Sequence, residues 1–342
     1  MTAQLTILQT AKRVARNANA IVDRDPAALA DVAAPGYRFR SVRPFYELSG
    51  ADAVVEACLA PIHRSLSGFR RQENIFFAGF NQHAPDEIWT CSHGSFMGSL
   101  DRDLLDIPAT GRAVALPYAE FHRVEGGQIA ETALFLDLIA LQQQCGLDPV
   151  PTQTGARLLP PAPATGDGVL LEAQDPADGE KTRALLDRMI EDIVSFNARG
   201  HTIPTPEWLA RTWHEDMAWY GPGGIGTALT IPRYQEQHQR PFREALSDKV
   251  FNGHVCRIAE GNYTGWFGWP NLNNRNVGGF LGLPRSDVHA EMRVVDIYRR
   301  AGDRIAENWV FIDLLHYAHQ LGVDLLKYPD ALWESPRARA GL

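Results

Sequence analysis

Hydrophobic positions along this chain switch between two periods. In residues 181–196, Leu185, Met189 and Ile193 recur every fourth position, which marks one face of a helix. Residues 10–22 show a similar amphipathic pattern. Residues 114–124, 130–136, 288–298 and 306–312 instead alternate over strand-length stretches, and shorter strand patterns occur at 37–40 and 217–220. Helices are predicted to start near Gly50 and near Pro232. Proline suits a first helical turn, and Thr230 stands where a cap is wanted. A closing helix follows Asp137 and another follows Asp313. Each aspartate sits at an N-cap position, with Gly146 and Gly322 where the helices should stop. Each half therefore reads helix, strand, helix, three extended segments and a last helix, an α+β arrangement.

The order repeats because the sequence repeats. Residues 129–148 (IAETALFLDLIALQQQCGLD) align without a gap on residues 305–324 (IAENWVFIDLLHYAHQLGVD), 176 positions later. Ile129, Glu131, Phe135, Asp137, Leu138, Gly146 and Asp148 recur as Ile305, Glu307, Phe311, Asp313, Leu314, Gly322 and Asp324. Leu105-Asp106-Ile107-Pro108 recurs at the same offset as Leu281-Gly282-Leu283-Pro284, and residues 61–67 (PIHRSLS) are echoed at 241–247 (PFREALS). So long a period exceeds that of solenoid repeats and predicts two tandem copies of one domain. The expected limits are 1–148 and 180–330, with a Pro-rich linker at 149–179 and a tail at 331–342. Residues shared by both copies, Glu131 and Glu307 included, read as structural, since chemistry rarely needs the same group in both halves of a pseudo-dimer.

A chain of 342 residues has room for two such domains. Its net charge of −8 argues against a nucleic-acid partner, which needs a basic face. No apolar run reaches the length of a membrane span, and the amphipathic N-terminus does not read as a signal peptide. Cys58, Cys91, Cys145 and Cys256 are isolated, which fits reduced thiols in a cytoplasmic protein rather than disulfides or a zinc site. Gly221, Gly223 and Gly226 match G-x-G-x-x-G by letter, but the next helix is expected only at Pro232, so a pocket-rim turn is the better reading. Asp313, His316 and His319 have a spacing that a metal could use, yet a polar helix stripe has the same spacing. His63 and His93 read as satisfied or surface histidines.

The string Ile107-Pro108-Ala109-Thr110-Gly111-Arg112, followed by a strand, a Gly-rich turn and the ending I-x-E-x-W-x-x-x-D, is similar to the SnoaL-like polyketide cyclases of the nuclear-transport-factor-like superfamily. The second half carries that ending as Ile305, Glu307, Trp309 and Asp313. The resemblance implies two cone-shaped domains, each a curved, mostly antiparallel sheet packed against helices around an apolar pocket. It implies acid–base chemistry next to a carbonyl of a small substrate, giving cyclisation, isomerisation or water loss, with neither a metal nor an organic cofactor. The family ending E-H-W-D reads here Glu307-Asn308-Trp309-Val310 in one half and Glu131-Thr132-Ala133-Leu134 in the other, so its catalytic aspartate is absent from both.

A pocket histidine of the family is matched by Asp296, and in the first half by Glu120. Alternation puts Met292, Val294, Asp296 and Tyr298 on one strand face. A carboxylate in an apolar pocket has a raised pKa and serves as an acid or base near neutrality. The alternative is an ion pair with Arg293 or Arg299. The richer second half is therefore expected to hold the site, with Asp296 and Asn308 catalytic. Trp219, Tyr220, Tyr263, Trp266, Met292, Val294, Trp309 and Val310 would contact substrate. The first-half counterparts are Phe39, Tyr118 and Glu120, and that half would act as a pseudo-subunit. Residues 261–282 read as a lid or partner surface, or as a hairpin whose tryptophans plug the core. The rival is a non-catalytic small-ligand-binding or scaffolding protein. The partner is a small carbonyl compound in the first reading; further pairing into a homodimer stays open.

Overall fold

The computed structural model describes residues 3–150, 152–197 and 203–327 and contains two curved sheets packed against helices. The first sheet comprises β1 (Ala33–Ser41), β2 (Tyr46–Ser49), β3 (Leu66–Asn81), β4 (Ala84–Leu100), β5 (Ala113–Glu125) and β6 (Gln128–Leu136), in the order β2-β1-β6-β5-β4-β3. The second comprises β7 (Trp213–Tyr220), β8 (Thr227–Leu229), β9 (Leu246–Phe251), β10 (Cys256–Glu260), β11 (Tyr263–Asn276), β12 (Ala290–Ala301) and β13 (Arg304–Ile312), in the order β10-β11-β12-β13-β7-β8. β9 also pairs with β11, so β9 and β10 stand where β3 runs unbroken in the first sheet. Neighbours are antiparallel except β1 with β6 and β7 with β13. The α+β class expected from the pattern is the class observed.

The middle helix of the first half is followed by four long strands, not three. Ile75, Phe76, Phe77 and Ala78 of β3 are all fully buried, so the strand loses its period-two signature and reads as an undivided apolar run. Of the two readings of residues 261–282 the hairpin is the nearer: β11 fills most of the segment and pairs antiparallel with β10 from Glu260 and Tyr263 onward. The helices Ala3–Val22 and Pro176–Asn197 begin several residues before the expected starts at residues 10 and 181.

The echo between residues 61–67 and 241–247 has a structural content. Each middle helix contains one π-helical turn, Val55–Leu59 and Gln235–Gln239, just before Pro61 and Pro241. Proline has no N–H for the helical ladder and crowds the carbonyl four residues earlier, and a wider turn accommodates both. Leu105 and Leu281 likewise share a left-handed backbone, with φ of 55° and 57°. Thr230 does hold the cap position, but with φ of 66° its side chain makes no capping bond, contrary to expectation. The two aspartates cap as read. Asp137 Oδ1 accepts the Ala140 N–H at 2.9 Å and Asp313 Oδ1 the His316 N–H at 3.0 Å.

The two sheets meet through aromatic faces. The Phe267 ring lies 5.1 Å from Phe121, 5.6 Å from Trp89 and 6.1 Å from Phe135. Backbones come close here: a Cβ on Gly79 would stand 2.9 Å from Ile258 Cβ. The Pro-rich segment is strapped to both halves. Val169 bridges Phe76, Ala156 bridges Thr227, and the Ala164 N–H donates to Glu307 at 3.1 Å. The glycine turn 221–226 connects β7 to β8 and opens no helix; the Gly223 N–H donates to Asp137 Oδ2 across the halves at 2.7 Å. No helix among the described residues is long and apolar enough to cross a membrane.

Candidate functional site

The larger cleft lies in the first half, between the helix Ala3–Val22, the middle helix and the concave face of the first sheet. It encloses about 530 Å³, its open mouth included. Most of its lining is apolar, with Val22, Leu29, Phe39, Phe69, Phe96 and Ile129 among the walls. One side is polar. Because Glu120 and His122 are two apart on β5, both point inward, and Thr132 on β6 is directly opposite His122. Asn19 and Asp23, one helical turn apart, approach from above, and Arg71 comes from β3.

These side chains form one network. Arg71 grips Asp23 with two bonds, Nε to Oδ2 at 2.9 Å and Nη2 to Oδ1 at 3.1 Å, and gives Nη1 to Glu120 Oε2 at 2.7 Å. Asn19 Nδ2 donates to the same Glu120 oxygen at 3.0 Å. His122 Nε2 lies 3.0 Å from Asn19 Oδ1 and 3.2 Å from Glu120 Oε2, while Nδ1 lies 2.9 Å from Thr132 Oγ1. Burial opposes ionisation of Glu120, but the Arg71 guanidinium and the hydrogen bonds from His122 and Arg71 outweigh it and hold the carboxyl well below the usual carboxylate range. The Arg71 guanidinium also lies 4.9 Å from the Phe96 and Tyr118 ring centroids.

Of the three first-half candidates, Phe39 and Glu120 line this cleft and Tyr118 lies under Arg71. Asn19, Asp23, Arg71, His122 and Thr132 were missed. His122 was legible, since it shares a strand face with Glu120. Arg71 was not, because its place depends on the pairing of β3 with β4. His63 stacks on Phe69 at 3.8 Å on the cleft wall. His93 corrects an expectation, for it is fully buried, with neither ring nitrogen bonded among the described residues. Burial pushes its pKa down to about 3 and keeps it neutral between the two sheets.

The second half places its candidates on two faces. Asp296, Asn308, Trp219, Trp266, Met292, Val294 and Val310 share the concave face. Tyr220, Tyr263 and Trp309 do not: they lie on the opposite face, toward the first half and the strap. Trp309 Nε1 donates to the Pro161 carbonyl at 3.0 Å and the Tyr263 hydroxyl to Asp167 Oδ1 at 2.6 Å. The parity of strand positions decides this: Trp309 is one residue from Asn308 and so points the other way.

Asp296 is buried and has no cation against it among the described residues. Arg299 pairs with Glu307, and Arg293 stacks on Trp269 at 4.0 Å. Asn308 Nδ2 donates to Asp296 Oδ1 at 3.0 Å. Burial pushes the Asp296 pKa from 3.8 up to about 7, against the opposing bonds from Asn308 and Tyr298. However, Trp219 stacked on His238 at 4.0 Å, with Tyr234 beside them, fills the space inside the cone. A cleft of about 380 Å³ remains at the mouth, and neither Asp296 nor any other second-half candidate lines it. On the last helix, the Asp313 oxygens are taken by the His316 and Arg43 N–H groups.

The first half matches a known family model. Residues 12–145 match the family model of SnoaL-like polyketide cyclase. The match covers every element around the polar cleft and stops where the strap begins. No curated protein matches the chain. Solved structures similar to it include an NTF2-like protein from Burkholderia thailandensis (21% identity, covering 39% of this chain and 94% of that one, TM-score 0.31). Others are TsrD from Streptomyces laurentii (18%, 40% and 93%, TM-score 0.33) and a steroid delta-isomerase from Pseudomonas aeruginosa (15%, 42% and 86%, TM-score 0.28). Within the matched segment, Leu134 stands where the family ending has its aspartate, and the polar groups of the cleft come instead from β3, β5, β6 and the first helix.

Proposed function

We propose that this protein is a cofactor-independent enzyme of the cyclase–isomerase type that moves a proton beside a carbonyl of a small apolar compound. The first-half cleft is the working site. The observation that carries this reading is a single polar wall, built from Asn19, Arg71, Glu120, His122 and Thr132, in an otherwise apolar and open cleft. His122 is the base. With Nε2 protonated toward Asn19 and Glu120, Nδ1 keeps the lone pair that the Thr132 hydroxyl also addresses, and Nδ1 takes the proton. Glu120, kept ionised by Arg71, stabilises the imidazolium that results. Three of the five N–H groups of Arg71 are engaged by Asp23 and Glu120; the other two supply charge for the developing enolate oxygen. Return of the proton at a different carbon completes an isomerisation; in a ring closure the enolate carbon bonds to a second carbonyl carbon of the substrate, and the imidazolium gives its proton to the alkoxide that this carbonyl becomes.

The shared strand order, the paired π-helical turns and the left-handed Leu105 and Leu281 support a tandem duplication, in which the second half takes the place of a dimer partner. A second reading makes Asp296 the base, favoured by its burial without a cation and by the Asn308 donor beside it. Proton–deuterium exchange separates the two. The protein is incubated in D2O with a panel of 1,3-dicarbonyl compounds, next to His122→Gln and Asp296→Asn. Exchange abolished by His122→Gln and kept by Asp296→Asn is expected. The reverse pattern moves the chemistry to the second half, and saturable binding with no exchange returns the protein to the non-catalytic class.

A further inference from the structure

The mouth of the second half holds a cation, Arg243, that no carboxylate pairs among the described residues. This cleft lies between the helix Pro176–Asn197, the turn Pro206–Leu209, β7 and the middle helix at 231–245. Its walls are largely aromatic: Phe196, Trp208, Trp213 and Tyr234. Arg243 stands among them, half-buried, with its guanidinium 5.7 Å from the Phe196 ring centroid. No carboxylate pairs with it among the described residues. Asp192, the acid on the same wall, is engaged by Arg211 at 3.3 Å. Burial lowers the Arg243 pKa. Lys249, whose ammonium lies 5.7 Å from the Phe242 ring, is pushed down by burial and by Arg243 itself. A half-buried guanidinium beside aromatic rings with no carboxylate paired to it is costly unless a negative group joins it.

The same position in the first half makes the contrast. The echo of residues 61–67 in 241–247 aligns Arg243 with His63, whose ring stacks on Phe69 and whose pKa burial lowers. One mouth therefore carries a histidine ring whose charged form burial disfavours, the other an arginine. The two clefts are built for different ligands.

We propose that the second-half cleft binds a small aromatic carboxylate. Its carboxylate is paired by Arg243, and its ring lies against Phe196, Trp208 and Trp213. Guanidinium suits this role because its planar N–H groups meet a carboxylate in pairs. The proposal does not depend on the first-half reaction.

Calorimetric titration of the full chain with 4-hydroxycinnamate and with its uncharged methyl ester tests it. The acid should bind saturably, and the ester should bind roughly tenfold or more weakly, the strength of one charge-assisted bond. Arg243→Gln should cost the acid that factor and leave acid and ester equal, while Arg243→Lys should keep a preference for the acid. Equal affinity of acid and ester for the unmodified protein overturns the proposal. So does an Arg243→Gln variant that binds the acid as before, and so does the lack of saturable acid binding at millimolar concentration. The acid–ester comparison on the unmodified protein decides even if Arg243→Gln does not fold.

Discussion

Replacing Asp296 with asparagine should change how the stability of this protein depends on pH. The carboxyl is 8% exposed, no cation faces it, and burial lifts its pKa from 3.8 to about 7. In the unfolded chain the same group titrates near its ordinary value. Between about pH 4 and pH 7 the unfolded state therefore releases a proton that the folded state retains, and unfolding is favoured progressively as pH rises. The distance from 3.8 to 7, at 1.36 kcal/mol per pKa unit, is about 4 kcal/mol. That destabilisation is complete above about pH 7 and absent below about pH 4. Asparagine has the same shape, still accepts the Asn308 N–H and never ionises. The variant should match the parent to within about 1 kcal/mol near pH 4 and exceed it by about 4 kcal/mol near pH 8. Asp313, whose pKa burial raises to about 6, is common to both proteins and cancels from the comparison. Urea midpoints followed by far-UV circular dichroism across that range measure the difference. A gap between the two proteins that stays constant with pH, or narrows as pH rises, refutes the argument.

Two further substitutions test the packing. A Cβ on Gly94 would stand 1.8 Å from the Gln72 carbonyl oxygen, a backbone atom inside the β3–β4 pairing that cannot rotate away. Gly94→Ala should destabilise by about 3 kcal/mol or more, and an unchanged melting temperature would show that the two strands can part there. Asp137 caps the helix Leu138–Gln144 with one oxygen and holds the Gly223 N–H of the other half with the second. Asp137→Ala should cost about 2–3 kcal/mol, a lost cap plus a buried N–H left unpaired, and Asp137→Asn well under that; thermal melts of the two variants compare them.

The elements of this fold were legible where local chemistry or a repeated pattern marks them. The closing helices, with Asp137 and Asp313 as caps and Gly146 and Gly322 beyond their ends, were read correctly because capping is local chemistry. β5, β6, β12 and β13 were found within a few residues. β3 was lost because its run from Ile75 to Ala78 is buried on both faces and shows no alternation, and β11 lies in the segment that the pattern left open between a lid and a hairpin. The resemblance carried by residues 107–112 and the paired endings pointed to the SnoaL-like cone, and the family match over residues 12–145 agrees for the first half.

The choice of site was harder to read, for a physical reason. Sequence pattern reports how each residue relates to its near neighbours: hence the period-two reasoning that put Asp296 on the concave face with Met292 and Val294. It carries no record of how much space that face encloses. Trp219 on β7 and Tyr234 and His238 on the middle helix are near one another in the chain, but it is the packing of that helix onto the sheet that stacks them inside the second cone. The first cone stays open at its mouth, and there Arg71, Asn19 and Asp23 meet Glu120 and His122 across separations of roughly 50 to 100 residues. Local chemistry along the chain set the caps, the turns, the repeated architecture and the faces of the strands. Folding brought distant side chains together, and in doing so determined which cone is filled, which is open and which carboxylate meets a cation.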